Sequence, residues 1–170
     1  MNNIKEQIIC CEKCPLHKHM KISPVGPEFD GQYKDGVMCI IGTPLKPAND
    51  YKQEVISDID RTALLKILKK ELGHYYITPL IKCCATNVSR TYSKETTQLC
   101  KSWIAKEIAA VKPKLVLGFG ANVKNVLSEN DHPPWAKCDY YLPAVSNTIN
   151  NKKRSQELIT ILRKFNNVYG

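Results

Sequence analysis

Cysteine dominates the chemistry open to this chain. Cys11-Glu12-Lys13-Cys14 forms a C-x2-C pair, and Cys83, Cys84 and Cys100 follow in the middle of the sequence. Two intervening residues let the backbone turn both sulfurs to one side, so such a pair can grip one soft metal. Two of the later cysteines can close a four-thiolate site. Zinc and an iron–sulfur cluster both accept four cysteines, and spacing does not separate them. A free cysteine is otherwise a small buried apolar residue. That reading fits Cys39, inside an apolar run, and extends to Cys10 and Cys138.

These thiols need elements to position them. Short apolar, β-branched runs alternate with helical patterns, the signature of a parallel sheet covered on both faces. The runs are Val37-Met38-Cys39-Ile40-Ile41, then 75–81, then Lys114-Leu115-Val116-Leu117, then Tyr140-Tyr141-Leu142. Leu64, Leu65, Ile67, Leu68 and Leu72 repeat at helical spacing, with Gly73 as a stop. Ser93 and Thr96 suit the start of a second helix carrying Leu99, Trp103, Ile104, Ile108 and Val111, closed by Pro113. Residues 121–127 and 158–165 supply two more. The pattern predicts an α/β fold of three layers, a central, mostly parallel four-stranded sheet with helices on both faces. Residues 1–170 are expected to form a single domain. Irregular stretches at 15–36 and 43–57 follow the rule that α/β proteins place sites where chain leaves the carboxyl ends of strands.

Composition narrows the class. The chain has 170 residues, 43% hydrophobic and 24% charged, which excludes a disordered chain, and no apolar run approaches a membrane span. Its first residues carry no secretory signal pattern, so an intracellular, cytoplasmic location is expected, where eight cysteines are not a disulfide frame. The net charge of +9 is uneven: 29–60 hold six acids and three bases, 61–130 hold twelve bases and four acids, and 151–170 hold five bases and one acid. Such a surface can attract a polyanion, nucleic acid being the usual one, although a solvated face has the same composition.

The order of motifs resembles the iron–sulfur uracil-DNA glycosylases, families 4 and 5 of the uracil-DNA glycosylase superfamily. It runs Cys11-x2-Cys14-Pro15-Leu16-His17, Val25-Gly26, a strand ending in Gly42, Ile81-Lys82-Cys83, Cys100-x2-Trp103, and Lys112-Pro113-Lys114-Leu115-Val116-Leu117-Gly118. The resemblance spans roughly residues 8 to 150 and implies a [4Fe-4S] cluster, with zinc the alternative, on Cys11, Cys14, Cys83 and Cys100. The family's spacing between its last two cysteines fits Cys84 to Cys100, whereas the Lys-Cys context after the strand selects Cys83.

The catalytic positions diverge from that family. Its acid/base glutamate corresponds to Thr43, and a threonine is no general base without a partner. Its stacking phenylalanine corresponds to Ile56. The asparagine that reads the uracil edge corresponds to Pro79, which has no side-chain donor or acceptor. The histidine that stabilises the departing anion falls at Ala144. Two carboxylates remain as catalytic candidates. Asp50 lies at the offset of a family aspartate, and Asp60 followed by Arg61 resembles the family 5 motif, though Asp60 also suits a helix cap. His132, in His132-Pro133, reads as a loop histidine.

The parts that would face DNA are better kept. Residues 146–154 fall at the family's minor-groove loop, with Ile149 as the apolar wedge and Lys152, Lys153 and Arg154 on phosphates, or else as a solvated helix start. The resemblance makes Arg90 a further candidate phosphate ligand. The resemblance therefore implies a DNA-binding iron–sulfur protein, degenerate for uracil and serving DNA replication or repair, with a replication or repair protein as a second partner. The alternative is an active glycosylase that hydrolyses the N-glycosidic bond of uracil or another modified base.

Overall fold

The structure, a computed structural model, describes residues 2–19, 24–30, 36–42, 58–83, 93–128 and 138–170. Helix α1 (Asn2–Ile9) leads through a 3-10 turn at Pro15–His19 to strand β1 (Glu28–Asp30). Then follow β2 (Val37–Ile41), α2 (Asp58–Leu72), β3 (Tyr75–Pro79), α3 (Lys94–Val111), β4 (Leu115–Phe119), α4 (Ala121–Leu127), β5 (Tyr140–Leu142), α5 (Val145–Ile149) and α6 (Lys152–Tyr169).

The sheet order is β1-β3-β2-β4-β5. Strands β2 to β5 run parallel, as the runs of apolar residues predict, and every residue of β2, β3 and β4 is buried. The expected four strands are five. The added one, β1, pairs antiparallel with β3 at the edge, Phe29 opposite Tyr76. It has no apolar run of its own, because the partner specifies it. Phe29 stacks on Tyr76 with ring centroids 6.0 Å apart, and Glu28 takes a two-pronged ion pair from Arg61 of α2 at 2.5 and 2.8 Å.

Alternation along the strands divides the core. Cys39, Ile41, Ile77, Leu117 and Phe119 face α2, α5 and α6 through Leu64, Leu68, Val145, Leu158 and Leu162. Met38, Ile40, Tyr76 and Val116 face α3 and α4 through Ile104, Ile108, Val123 and Leu127. These are the three predicted layers.

Local chemistry sets the ends. Ser93 caps α3, its hydroxyl accepting from the Thr96 N–H at 3.1 Å. Lys112 closes the helix in the left-handed region at φ 51°, its N–H on the Ile108 carbonyl, before Pro113. Asn151 caps α6 through the Arg154 N–H, so this helix begins at 152 and not at 158. Strand β3 ends earlier than expected, at Pro79. The Leu80 N–H bonds to the Ile41 carbonyl, so by alternation the missing N–H of Pro79 faces the β1 side, past the last β1 pair at Ile77.

Strand β4 runs on through Gly118, and there a side chain has no room. A Cβ would stand 2.9 Å from the Cys138 sulfur and 3.0 Å from both Tyr141 and Val123. Gly118→Ala is expected to lose about 1–3 kcal/mol by overpacking, read as a lower denaturant midpoint at unchanged slope.

Candidate four-cysteine site

The parallel strands open their carboxyl ends along one rim. In register, Ile41 stands between Pro79 and Phe119, and Phe119 lies beside Leu142. The loops leaving this rim carry the divergent positions. Pro79 is buried as the last residue of β3, and Ala144 is exposed immediately before α5. Gly120, at φ 98°, turns the chain out of β4 with its N–H on the Leu142 carbonyl at 2.9 Å. Thr43, Asp50, Ile56, Cys84, Arg90 and His132 lie outside the described residues.

Asp60 is described and is not a cap. It is the third residue of α2, half-buried inside the first turn, where its carboxylate sits at the positive end of the helix dipole. Helix α2 follows β2, so this end of α2 is on the rim side of the sheet.

The four cysteines come together beside the exit of β3. The loop after α1 brings Cys11 and Cys14, the exit of β3 brings Cys83, and the first half of α3 brings Cys100. Cys14, Cys83 and Cys100 are buried and Cys11 is half-buried. Burial raises the Cys83 pKa, and the neighbouring Cys100, Cys14 and Cys11 thiols raise it further. Burial likewise raises Cys100; the Lys82 backbone N–H on its sulfur opposes this, and Cys14 and Cys11 are again among its neighbours. Four thiols drawn into mutual range, three of them buried, form a donor set that a cationic metal centre would stabilise. Among the described residues no group of three or more His, Cys, Asp or Glu is arranged to hold a single metal ion. The thiols are gathered, without forming a one-ion cage.

Their surroundings are built. The Trp103 indole N–H donates to the Cys11 sulfur at 3.2 Å. Lys13 and Lys106 lie over the same ring at 4.3 and 4.7 Å, and Lys13 also donates to the Ser102 hydroxyl at 3.1 Å. His17 Nδ1 stands 2.6 Å from the Cys14 carbonyl. The Val25 N–H bonds to the Lys82 carbonyl at 2.7 Å, tying the chain before β1 to the same place.

Beneath Cys83 lies a polar network that sequence reasoning missed. Lys82 and Glu107 are both 0% exposed and form an ion pair at 2.6 Å. The Lys82 ammonium also donates to the Thr78 hydroxyl at 2.6 Å, while Thr78 and Tyr76 donate to Glu107 at 2.6 and 3.0 Å. Desolvation lowers the Lys82 pKa, and the Glu107 carboxylate opposes that shift. One signal was present. Glu107 sits on the apolar stripe of α3 between Ile104 and Ile108, and a carboxylate at such a position needs a buried partner.

The remaining thiols behave differently from one another. Cys39 and Cys138 are buried, and desolvation pushes both up to about 12, so they are inert packing residues as expected. Cys10 is exposed, against the buried-thiol reading, because α1 turns it to the surface.

The expected DNA-facing residues separate into two kinds. Lys152, Lys153 and Arg154 are exposed in the first turn of α6, which holds no acid; Arg154 pairs with Glu157 at 2.9 Å. Cations at a helix start oppose the dipole, so local helix stability does not explain them. Ile149, by contrast, is not free in a loop. It ends α5 and packs half-buried against the core. A wedge at this position would have to leave that packing. Among the described residues no helix is long and apolar enough to cross a membrane.

No protein-family model matches the chain. The chain is similar to a type-4 uracil-DNA glycosylase of Pyrobaculum aerophilum, at 28% identity over 131 residues. The matched region is 76% of this chain and 65% of that protein, so the chain spans just under two thirds of the length of that relative.

Proposed function

We propose, from the premise that the chain belongs to the uracil-DNA glycosylase superfamily, that it is a DNA-binding iron–sulfur protein in which the uracil pocket has lost its chemistry. It acts inside the cell, on DNA, in replication or repair, where a replication or repair protein is its second partner. The observation that carries this reading is Pro79. It is buried at the carboxyl rim and offers no side-chain donor or acceptor, and by the sequence resemblance it corresponds to the residue that reads the base edge in the superfamily. Ala144 on the neighbouring loop adds no group that could stabilise a departing anion. Losing a single electrostatic donor of this kind costs on the order of 2–4 kcal/mol of transition-state stabilisation, and here two positions are silent together.

In this reading Cys11, Cys14, Cys83 and Cys100 hold a [4Fe-4S] cluster. Their all-thiol donor set also suits zinc, but sulfurs receiving N–H bonds from Trp103 and Lys82 are the pattern that tunes iron–sulfur centres. When bound, the cluster supplies a cross-link among three distant segments. The chain's own residues do the rest. Lys152, Lys153 and Arg154 meet phosphates. Oligonucleotides containing uracil, single- and double-stranded, incubated with the protein and treated with alkali, are expected to stay intact; strand breaks would overturn this reading.

A second reading rests on Asp60. A half-buried carboxylate on the rim side of the sheet could serve as an acid/base group toward a different base. It predicts breaks in oligonucleotides carrying another modified base, abolished in Asp60→Asn and retained in Asp50→Asn.

Phosphate contacts have a salt signature. Each phosphate released from its counterions contributes about 0.9 to the slope of log affinity against log salt on duplex DNA. Lys152→Ala with Lys153→Ala is therefore expected to reduce that slope by about two and to weaken binding uniformly across sequences. A slope equal to wild type, measured by fluorescence anisotropy, removes these lysines from the interface.

A further inference from the structure

We infer that the buried Lys82–Glu107 pair is the fixed counter-charge of the four-cysteine group, with Lys82 a positioning residue that holds the sulfurs' negative charge inside the protein. The inference rests on the cluster reading above. An ion pair with both side chains 0% exposed is a poor device for stability, since apolar residues of similar volume usually fold as well or better. Its location supplies the reason for keeping it.

Lys82 touches the site in three ways. It precedes Cys83 in the chain, its backbone N–H donates to the Cys100 sulfur, and its ammonium acts through space on Cys100 and Cys11. The side chain cannot swing away. Glu107 and Thr78 hold the ammonium from α3 and β3, and Tyr76 fixes Glu107 from below. A metal centre on four thiolates carries net negative charge, and burying it without a nearby cation is costly. Lys82 adjoins Cys83 in the chain and its backbone N–H meets the Cys100 sulfur, whereas Glu107 stands seven residues further along α3 than Cys100, about two helical turns or ~10 Å. The pair therefore presents its positive end to the site. Reduction adds one more negative charge, so the same cation favours the reduced state.

The test begins with iron and sulfide in the wild-type protein. Their absence overturns the cluster reading itself. With the cluster present, Lys82→Met combined with Glu107→Leu removes both charges while keeping an apolar filling, and circular dichroism checks the fold. The double variant is expected to release iron to a chelator about ten-fold faster, in line with outer-shell changes at metal sites, and to have a more negative reduction midpoint. Wild-type release and an unmoved midpoint overturn the inference. Faster release with an unmoved midpoint does so too, because it leaves only packing. Lys82→Gln with Glu107→Gln keeps hydrogen bonding without charge, and the same two readouts decide if the apolar pair does not fold.

Discussion

In Cys100→Ala protein the visible absorption of an iron–sulfur centre is expected to vanish, and the loss of order is expected to be local. Cys11 and Cys14 follow α1, Cys83 leaves β3, and Cys100 sits on α3. A centre bound to all four ties the amino-terminal segment to the middle of the chain. Neither of the two core clusters includes a residue of α1 or of the C-x2-C loop. The other ties seen for that segment among the described residues include the Trp103 bond to Cys11, Lys13 on Ser102 and over the Trp103 ring, and the burial of Ile8. Removing the tie is expected to cost on the order of 2–5 kcal/mol, the range for deleting a covalent cross-link from a small domain. Hydrogen exchange should show residues 2–19 losing protection while β2 and β4 keep theirs, since both strands are buried on two faces. Cys39→Ala, in the other face of the core, is expected to keep its colour. The absorption measurement separates the two neighbouring cysteines: Cys83→Ala is expected to bleach the protein and Cys84→Ala to keep its colour. A Cys100→Ala protein with wild-type iron content would overturn the ligand set.

What could be read in the sequence follows from how locally each feature is encoded. Val37–Ile41 was predicted to the residue because a parallel strand buried on both faces must be a continuous apolar run, and Tyr140–Leu142, at the sheet edge with Tyr140 exposed, was legible from its aromatic and apolar residues alone. Ser93 and Pro113 marked the ends of α3 for equally local reasons, a hydroxyl that caps and a ring that cannot continue. Strand β1 was illegible because three residues, two of them acidic, become a strand only when Tyr75, Tyr76 and Ile77 are beside them. Helix α5 escaped notice since five residues are too short to show a period. The cysteine frame was legible as a motif and not as geometry. That Cys11 accepts from Trp103, 92 positions away, is a fact of tertiary packing. The ion pair under Cys83 is of the same kind: Lys82 was visible as part of a motif, but only the packing of α3 on β3 shows why it is there.

That pair carries the second large effect. Glu107→Ala takes from a fully buried ammonium the carboxylate bonded to it, and it deprives the Thr78 and Tyr76 hydroxyls of their acceptor. Breaking a buried ion pair by removing one partner costs about 3–5 kcal/mol. For a chain of this size each kcal/mol lowers the melting temperature by about 2–4 °C, so a fall of roughly 6–20 °C is expected in the scan. The surface pair of Arg163 with Glu71, at 2.9 Å with the arginine covering the carboxylate, is the contrast. Removing Arg163 opens the Glu71 carboxylate to water, and Arg163→Ala is expected to change the melting temperature little. The two pairs differ in burial and in the Thr78 and Tyr76 hydroxyls that bond the buried carboxylate. A double-mutant cycle makes the distinction quantitative. If the cost of Glu107→Ala is mainly the stranded charge of Lys82, then combining Glu107→Leu with Lys82→Met recovers most of it, because the second change removes the charge that the first left unpaired. Additive losses would instead assign the cost to packing around β3 and α3, and the pair would lose its electrostatic role in the fold.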